Sequence, residues 1–264
     1  MPKFSANLSF LFTEQAFPDR FEAARRAGFD AVEYMFPYAW DKQDLAARLR
    51  DAGLRQVLFN LPAGDWDGGD RGIACNPSRM DEFRTGVDQA IEYALALGCP
   101  QLNCLAGIAP ADVPTQALYA TMVANVQHAA AECARAGLRL LIEPINTHDI
   151  PGFYLHYSNA TMDLIADVDA DNVFLQYDVY HMQRMEGDLA NTLRRLISRI
   201  GHVQIADVPG RHEPGSGEIN YDFLLGFLDA LDYQGWVGCE YKPAQSTLQG
   251  LGWLERWQSR PPAA

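Results

Sequence analysis

The feature that most constrains the fold is an apolar run followed by a helical pattern, repeated eight times along the chain. The runs begin 24 to 46 residues apart, which is about the size of one strand–helix unit. They are apolar throughout, as in LRLLIE and NVFLQYD, which is typical of parallel strands covered on both faces. The predicted strands span residues 4–9, 31–34, 55–60, 101–105, 138–143, 173–178, 201–205 and 236–240. The predicted helices span 18–27, 41–52, 81–97, 115–136, 158–168, 189–200, 221–231 and 248–257.

Glycines mark the ends of the first four predicted helices. Each of these helical patterns stops at a glycine and runs directly into the next apolar strand, which is the usual position of a C-cap glycine. The four glycines are Gly28, Gly53, Gly98 and Gly137. Eight strands alternating with eight helices allow either a closed barrel or an open doubly wound sheet.

Polar residues at the strand ends favour the barrel. In a barrel all eight carboxyl ends converge on one mouth, whereas an open sheet uses the ends around one switch point. The polar ends are Asn7, Glu33, Asn60, Asn103, Glu143, Asp178, Gln204 and Glu240. The chain has neither a GxGxxG nor a GxxxxGK[ST] motif after its first strand. We therefore predict an α/β fold, a single (β/α)8 barrel domain over residues 1–264.

Charge and cysteine content narrow the functional classes. The formal net charge is −13 and the pI is about 4.8, so the surface repels nucleic acids and acidic bilayers. No run approaches the roughly 20 apolar residues of a membrane-spanning helix. The cysteines are odd in number and form no CxxC, which predicts reduced thiols in a cytoplasmic protein. They are Cys75, Cys99, Cys104, Cys133 and Cys239.

The last four predicted strands end in oxygen-bearing side chains. These are Glu143, Asp178, Gln204 and Glu240. In a barrel these side chains would share one small mouth. Carboxylates within a few ångströms of one another cannot all stay ionised without a nearby positive charge, and a divalent cation is the simplest source of that charge. Oxygen ligands suit Mg²⁺ or Mn²⁺ better than Zn²⁺. The competing interpretation is that acidic residues end strands because loops begin there; it explains one such residue more readily than four on consecutive strands.

Four further residues near these strand ends are candidates for binding substrate. His181 lies three residues after Asp178, and Arg211 follows the seventh strand, where it could bind a carboxylate through two hydrogen bonds. Asp149 follows the fifth strand, and Lys242 lies two residues beyond Glu240, so strand alternation places it on the same face. Each also has a structural alternative: a solvent-facing loop histidine, a surface arginine, an Asx turn at Asp149, and a salt bridge from Lys242 to Glu240.

Long segments of the chain closely resemble the hydroxypyruvate isomerase family, within the xylose isomerase-like TIM barrels. They are FSANLSFLF, AVEYMFPY, NLPAGDWDGGDRGIAC, LLIEPINTHDIPGF, QYDVYHMQRMEG, HVQIADVPGRHEPGSGEINY and GWVGCEYKP, and they run from Phe4 to about Gly252. The resemblance implies a divalent metal bound by Glu143, Asp178, Gln204 and Glu240. It also implies that Glu143 and Glu240 are the proton donor and acceptor.

The expected reaction is the interconversion of hydroxypyruvate and 2-hydroxy-3-oxopropanoate (tartronate semialdehyde) through an enediolate, with the two glutamates as acid and base. Two alternatives lie within the wider group. One is a sister isomerase that acts on 2-oxotetronate. The other is a ketose 3-epimerase, in which a histidine usually stands where Gln204 stands. A non-catalytic sugar-acid binding protein and a metal-dependent nuclease are alternatives of other classes. The acidic charge and the few histidines count against the nuclease. The resemblance suggests glyoxylate or sugar-acid metabolism, and homo-oligomers are common among such barrels.

Overall fold

The eight predicted strands form one closed parallel barrel in the computed structural model, which describes residues 1–258. Each strand pairs with its neighbour in chain order, and the eighth closes on the first. The strands are β1 (Lys3–Asn7), β2 (Ala31–Glu33), β3 (Arg55–Asn60), β4 (Gln101–Cys104), β5 (Arg139–Ile142), β6 (Val173–Asp178), β7 (Ile200–Ile205) and β8 (Trp236–Cys239). The predicted (β/α)8 barrel is confirmed.

The helices follow the strands around the outside of the barrel. They are α1 (Arg20–Arg26), α2 (Lys42–Ala52), α3 (Met80–Leu97), α4 (Thr115–Arg135), α5 (Ser158–Val168), α6 (Val179–Met185), α7 (Leu189–Leu196), α8 (Tyr221–Ala230) and α9 (Gly252–Gln258). The sequence prediction missed α6, which starts directly after β6 without a loop. It also extended α7 too far, because Ile197–Arg199 form a 3-10 turn before β7 begins.

The apolar faces of the helices hold the strands in place. In α3 one face is buried at three- and four-residue spacing, as an amphipathic helix on a barrel requires. Its buried members are Phe83, Gly86, Val87, Ala90, Ala94 and Leu97. Burying each large apolar side chain stabilises the fold by about 1.5–3 kcal/mol. The packed helices therefore hold the ends of the strands in fixed positions.

Two of the predicted glycine caps illustrate how helices end before strands. Gly53 and Gly98 follow α2 and α3 with φ angles of 65° and 64°, in the left-handed region that glycine adopts without strain. Their backbone N–H groups donate to carbonyls of the last helical turn. The chain reverses there and enters β3 and β4.

The capping residue Asp41 provides a test of helix stability away from the barrel mouth. Its carboxylate accepts hydrogen bonds from the backbone N–H groups of Gln43 and Asp44 at the start of α2. We expect Asp41→Ala to lower the free energy of unfolding by about 1 kcal/mol and to leave turnover unchanged. Denaturant unfolding measures the first and a steady-state assay the second; unchanged stability would contradict the capping role.

Two further expectations concern the state of the cysteines and the lack of a membrane-spanning helix. All five cysteines are free and buried, as predicted. Burial raises the pKa of the Cys75 thiol to about 11. Within residues 1–258, no helix combines the length and apolar character needed to cross a membrane.

Candidate active site

The structure gathers the four oxygen-bearing residues at the carboxyl ends of neighbouring strands. Glu143 directly follows β5, Asp178 ends β6, Gln204 lies near the end of β7, and Glu240 directly follows β8. All four are buried. Asp178 and Gln204 are register partners across β6 and β7. Burying three carboxylates costs several kcal/mol per charge unless they are paired or bound to a cation.

Burial and mutual repulsion both act on these carboxylates. Burial raises the pKa of Glu143, the charge of Asp178 raises it further, and a hydrogen bond from Asn103 Nδ2 at 2.8 Å opposes the rise. Burial also raises the pKa of Asp178 and that of Glu240, while Arg211 opposes both. The cluster thus lacks enough positive charge of its own to hold all three carboxylates ionised.

Asp178 caps a helix with one carboxylate oxygen and leaves the other without a hydrogen bond from residues 1–258. Its Oδ1 accepts hydrogen bonds from the backbone N–H groups of Tyr180 at 2.8 Å and His181 at 3.4 Å. Its buried Oδ2 accepts no hydrogen bond from any residue in the described part of the chain. Ligand atoms of Glu143, Asp178 and His181 lie within 4.8 Å of one another. A nearby cavity of about 20 Å³ lined by Glu143, Gln204 and Glu240 has room for about one water-sized species.

These features fit a hard divalent cation. Carboxylate and amide oxygens are its preferred ligands, and Asp178 Oδ2, which accepts no hydrogen bond from the described residues, is available as one of them. Gln204 supplies the neutral oxygen. Its Nε2 donates to Glu33 at 2.9 Å, and its Oε1 accepts a hydrogen bond from Gln176 Nε2 at 2.6 Å.

Arg211 brings the main positive charge to the mouth. Its Nη2 lies 3.2 Å from Glu240 Oε1 and 3.7 Å from Asp178 Oδ2. Its guanidinium lies 5.0 Å from the ring centroids of both Phe10 and Tyr180. This arrangement holds an arginine fork at the mouth, where a carboxylate ligand can be bound through two hydrogen bonds.

His181 lies beside Arg211 with its ring orientation fixed. Asn146 Nδ2 donates to His181 Nδ1 at 2.6 Å, and the same amide is fixed because its Oδ1 accepts from the Asp149 backbone N–H. Burial first, and then Arg211 and Arg184, hold the pKa of His181 well below its ordinary value. A neutral ring that accepts at Nδ1 carries its proton on Nε2. His181 Nε2 is therefore a hydrogen-bond donor at the mouth rather than a metal ligand.

The other two predicted substrate-binding residues lie further out. The Asp149 carboxylate pairs with Arg184 at 2.5 Å and accepts from Tyr180 and Asn146. The Lys242 side chain is exposed, and β8 ends at Cys239, so strand alternation does not carry Lys242 onto the face of Glu240. Arg211 forms the ion pair with Glu240 instead.

Several residues that surround the four oxygen-bearing side chains were not identified from the sequence. Gln176 and His202 each lie two positions before a donor on the same strand, so alternation could have placed them on the inward face. Asn146 carried no comparable signal, because its role depends on the fold of the loop after β5. Glu33 and Asn103 were noted as strand ends, without a partner assigned to either.

The fold and the donors define a known class of barrel. Residues 21–257 match the family described as xylose isomerase-like TIM barrel. The chain is 52% identical to hydroxypyruvate isomerase of Escherichia coli K12, covering 98% of this chain and all of that protein. It is 46% identical to 2-oxo-tetronate isomerase of Cupriavidus necator, with the same coverage. A crystal structure described as AP endonuclease, family 2, from Brucella melitensis is 43% identical, with a TM-score of 0.95 over 97% of this chain and 99% of that one.

The chain therefore belongs to the hydroxypyruvate isomerase family of xylose isomerase-like TIM barrels, and it is an isomerase. This agrees with the family resemblance inferred from the sequence segments.

Proposed function

We propose that this isomerase interconverts hydroxypyruvate and tartronate semialdehyde in a reaction that depends on a divalent cation, Mg²⁺ or Mn²⁺. The observation that carries the proposal is the buried set of oxygen ligands in which Asp178 Oδ2 accepts no hydrogen bond from the described residues. The 52% identity to the Escherichia coli hydroxypyruvate isomerase supports the choice of substrate. Glu143, Asp178, Gln204 and Glu240 would hold the cation, which supplies positive charge for the oxygens of an enediolate when bound.

The two glutamates move the proton in this proposal. One glutamate, Glu143 or Glu240, removes a proton from C3 of hydroxypyruvate, and a proton is returned to C2. The hydroxyl proton passes from O3 to O2, so the product is the aldehyde with the same atoms. Positioned carboxylates whose pKa is raised by burial are suited to such transfers.

The substrate carboxylate needs its own anchor. We assign this role to the guanidinium of Arg211 and to His181 Nε2–H, which lie 3.7 and 3.5 Å from Asp178 Oδ2. Asp149 acts indirectly, because it holds Asn146 and Arg184 around His181. Lys242 contributes through its backbone N–H, which donates to the Arg211 carbonyl at 2.8 Å.

The second candidate is 2-oxotetronate isomerisation, which the 46% identity to the Cupriavidus necator enzyme favours. One carbon of substrate length separates the two reactions, and a pocket discriminates such a difference by only about 1–3 kcal/mol. The same acid–base chemistry serves both substrates. A nuclease activity is disfavoured because a net charge of −13 repels a phosphate backbone.

The test is an isomerase assay on protein stripped with EDTA and then restored with Mg²⁺ or Mn²⁺. Hydroxypyruvate and 2-oxotetronate are offered in parallel, and NMR follows the interconversion of ketone and aldehyde. We expect no turnover without the cation and a higher kcat/KM for hydroxypyruvate after its return. Preference for the four-carbon acid would replace the substrate and keep the mechanism. Full turnover after complete removal of the cation would overturn the cation site.

A further inference from the structure

Another buried carboxylate, that of Glu33, lies inside the barrel next to Gln204. Its two oxygens accept hydrogen bonds from side chains of two strands, β1 and β7. Ser5 Oγ and His202 Nε2 lie 2.7 and 2.8 Å from Oε2, and Asn7 Nδ2 and Gln204 Nε2 lie 3.2 and 2.9 Å from Oε1. Burial opposes the charge of Glu33, but His202 and the other donors outweigh it and hold its pKa below the ordinary value.

Strand β8, on the other side of β1 from Glu33, leaves space for this carboxylate. Gly238 of β8 faces Glu33, and a Cβ atom at position 238 would lie 2.4 Å from both Glu33 oxygens. Contacts that short are forbidden, so any side chain at this position would displace the carboxylate. Because residue 238 of β8 has no side chain, the carboxylate fits into the space between β1, β2 and β7.

The contact with Glu33 fixes the orientation of the Gln204 amide. An ionised carboxylate can only accept hydrogen bonds, so the NH2 group of Gln204 must face Glu33. The amide oxygen is then turned the other way, where it accepts from Gln176 Nε2 at 2.6 Å and keeps a second lone pair. If the amide were flipped, its nitrogen would be presented in place of the oxygen, and an amide nitrogen is no ligand for Mg²⁺ or Mn²⁺.

We propose that Glu33 is a positioning residue that locks the Gln204 amide so that its oxygen is presented to the divalent cation. The inference rests on the cation site of the proposed function. A metal-bound histidine is commonly oriented by a carboxylate that accepts its second N–H. Gln204 has the same polarity, with an acceptor atom toward the site and an N–H toward Glu33.

A titration of the full-length protein with Mn²⁺ tests the proposal without relying on activity. Electron paramagnetic resonance measures the free ion at each point of the titration. In Glu33→Gln the new side chain can offer NH2 or oxygen to position 204, so the Gln204 amide is no longer held one way round. We expect Mn²⁺ affinity to fall by about 10- to 100-fold, the usual effect of losing such a partner. Ser5→Ala is the matched control; it removes one hydrogen bond from the other Glu33 oxygen, and we expect a much smaller change.

A double-mutant cycle separates positioning from general damage. In Glu33→Gln/Gln204→Glu the polarity of the contact is reversed, because the amide at position 33 can donate to a carboxylate at position 204. We expect the Glu33→Gln substitution to weaken Mn²⁺ binding in the wild-type background and to strengthen it in the Gln204→Glu background, where it replaces one of two carboxylates that repel each other. A structural role alone would give the same loss in both.

Thermal melts establish that each variant is folded before it is titrated. If Glu33→Gln does not fold, Glu33→Asp replaces it, since it keeps the charge but withdraws the carboxylate from Gln204 by one methylene. A folded variant of either kind that binds Mn²⁺ within about twofold of wild type would overturn the inference. Wild-type protein that binds no Mn²⁺ would instead overturn the cation site itself, which keeps the two failures distinct.

Discussion

Glu240→Gln is expected to lose isomerase turnover by about 10²–10⁴-fold, the usual contribution of a positioned acid or base, while the barrel stays folded. Glutamine has the same shape and can still accept from Arg211, which lies 3.2 Å from Glu240 Oε1. What it lacks is the ability to carry a proton and the negative charge that Glu240 contributes to the proposed cation site. Glu143→Gln is expected to behave in the same way, because Glu143 is the second proton carrier of the proposed mechanism.

Stability provides an independent readout for the same variants. Burial, and repulsion from Glu143 and Asp178, raise the pKa of Glu240 above that of the unfolded chain. The folded protein therefore binds more protons than the unfolded one as pH rises above about 4.5, and cation-free stability falls through that range. Glutamine removes one of the repelling charges. Melting temperatures of EDTA-treated protein should fall with pH less steeply in Glu240→Gln than in wild type.

Retained turnover in either glutamine variant would overturn the acid–base assignment. A variant that melts far below wild type at every pH would show that the carboxylate supports the fold, and the loss of rate would then say nothing about proton transfer. Asp41→Ala is a suitable comparison, since it lowers stability at a distance from the mouth.

Arg211→Met is expected to lower kcat/KM for hydroxypyruvate by about 10- to 150-fold, the equivalent of one hydrogen bond to a charged group. The effect should depend on the substrate carboxylate. Dihydroxyacetone has the same three-carbon ketone with a hydroxymethyl group in place of the carboxylate. The variant should therefore lose most of the preference of the wild-type enzyme for hydroxypyruvate over dihydroxyacetone.

The control for this experiment is Arg194→Met on α7, which removes an arginine that lies over Phe227 on the outside of the barrel. We expect it to leave both substrates unaffected. Equal losses on hydroxypyruvate and dihydroxyacetone in Arg211→Met would contradict the anchor role. They would indicate that Arg211 serves to pair Glu240 and Asp178 instead.

The order of the strands and the oxygen-bearing side chains at their ends could be predicted from the sequence, because both follow from local patterns. Eight apolar runs with helices between them predict the barrel, and in a barrel each strand end must point into the same mouth. The position of Lys242 was not accessible, because strand alternation assumes that β8 continues past Cys239. The helix α6 was missed because its start depends on the Asp178 side chain acting as the cap.

The contacts around His181 lie beyond sequence reasoning for a different reason. Asn146 is brought to His181 by the loop after β5, and no periodic pattern determines where that loop lies. The Glu33–Gln204 contact spans residues 171 positions apart along the chain. Strand-end polarity marks both residues, but only the closed barrel shows that they touch.

Asp178 joins the local fold to the candidate site through one carboxylate. One oxygen begins α6 by accepting two backbone N–H groups, and the other faces the donors of the neighbouring strands. No loop separates β6 from α6, so the side chain cannot shift toward a ligand without pulling on the first turn of the helix. The fold therefore restricts the side chain more at position 178 than at position 204. A glutamine and a histidine can each present an acceptor and an N–H there, whereas a longer acid at 178 would lose the cap.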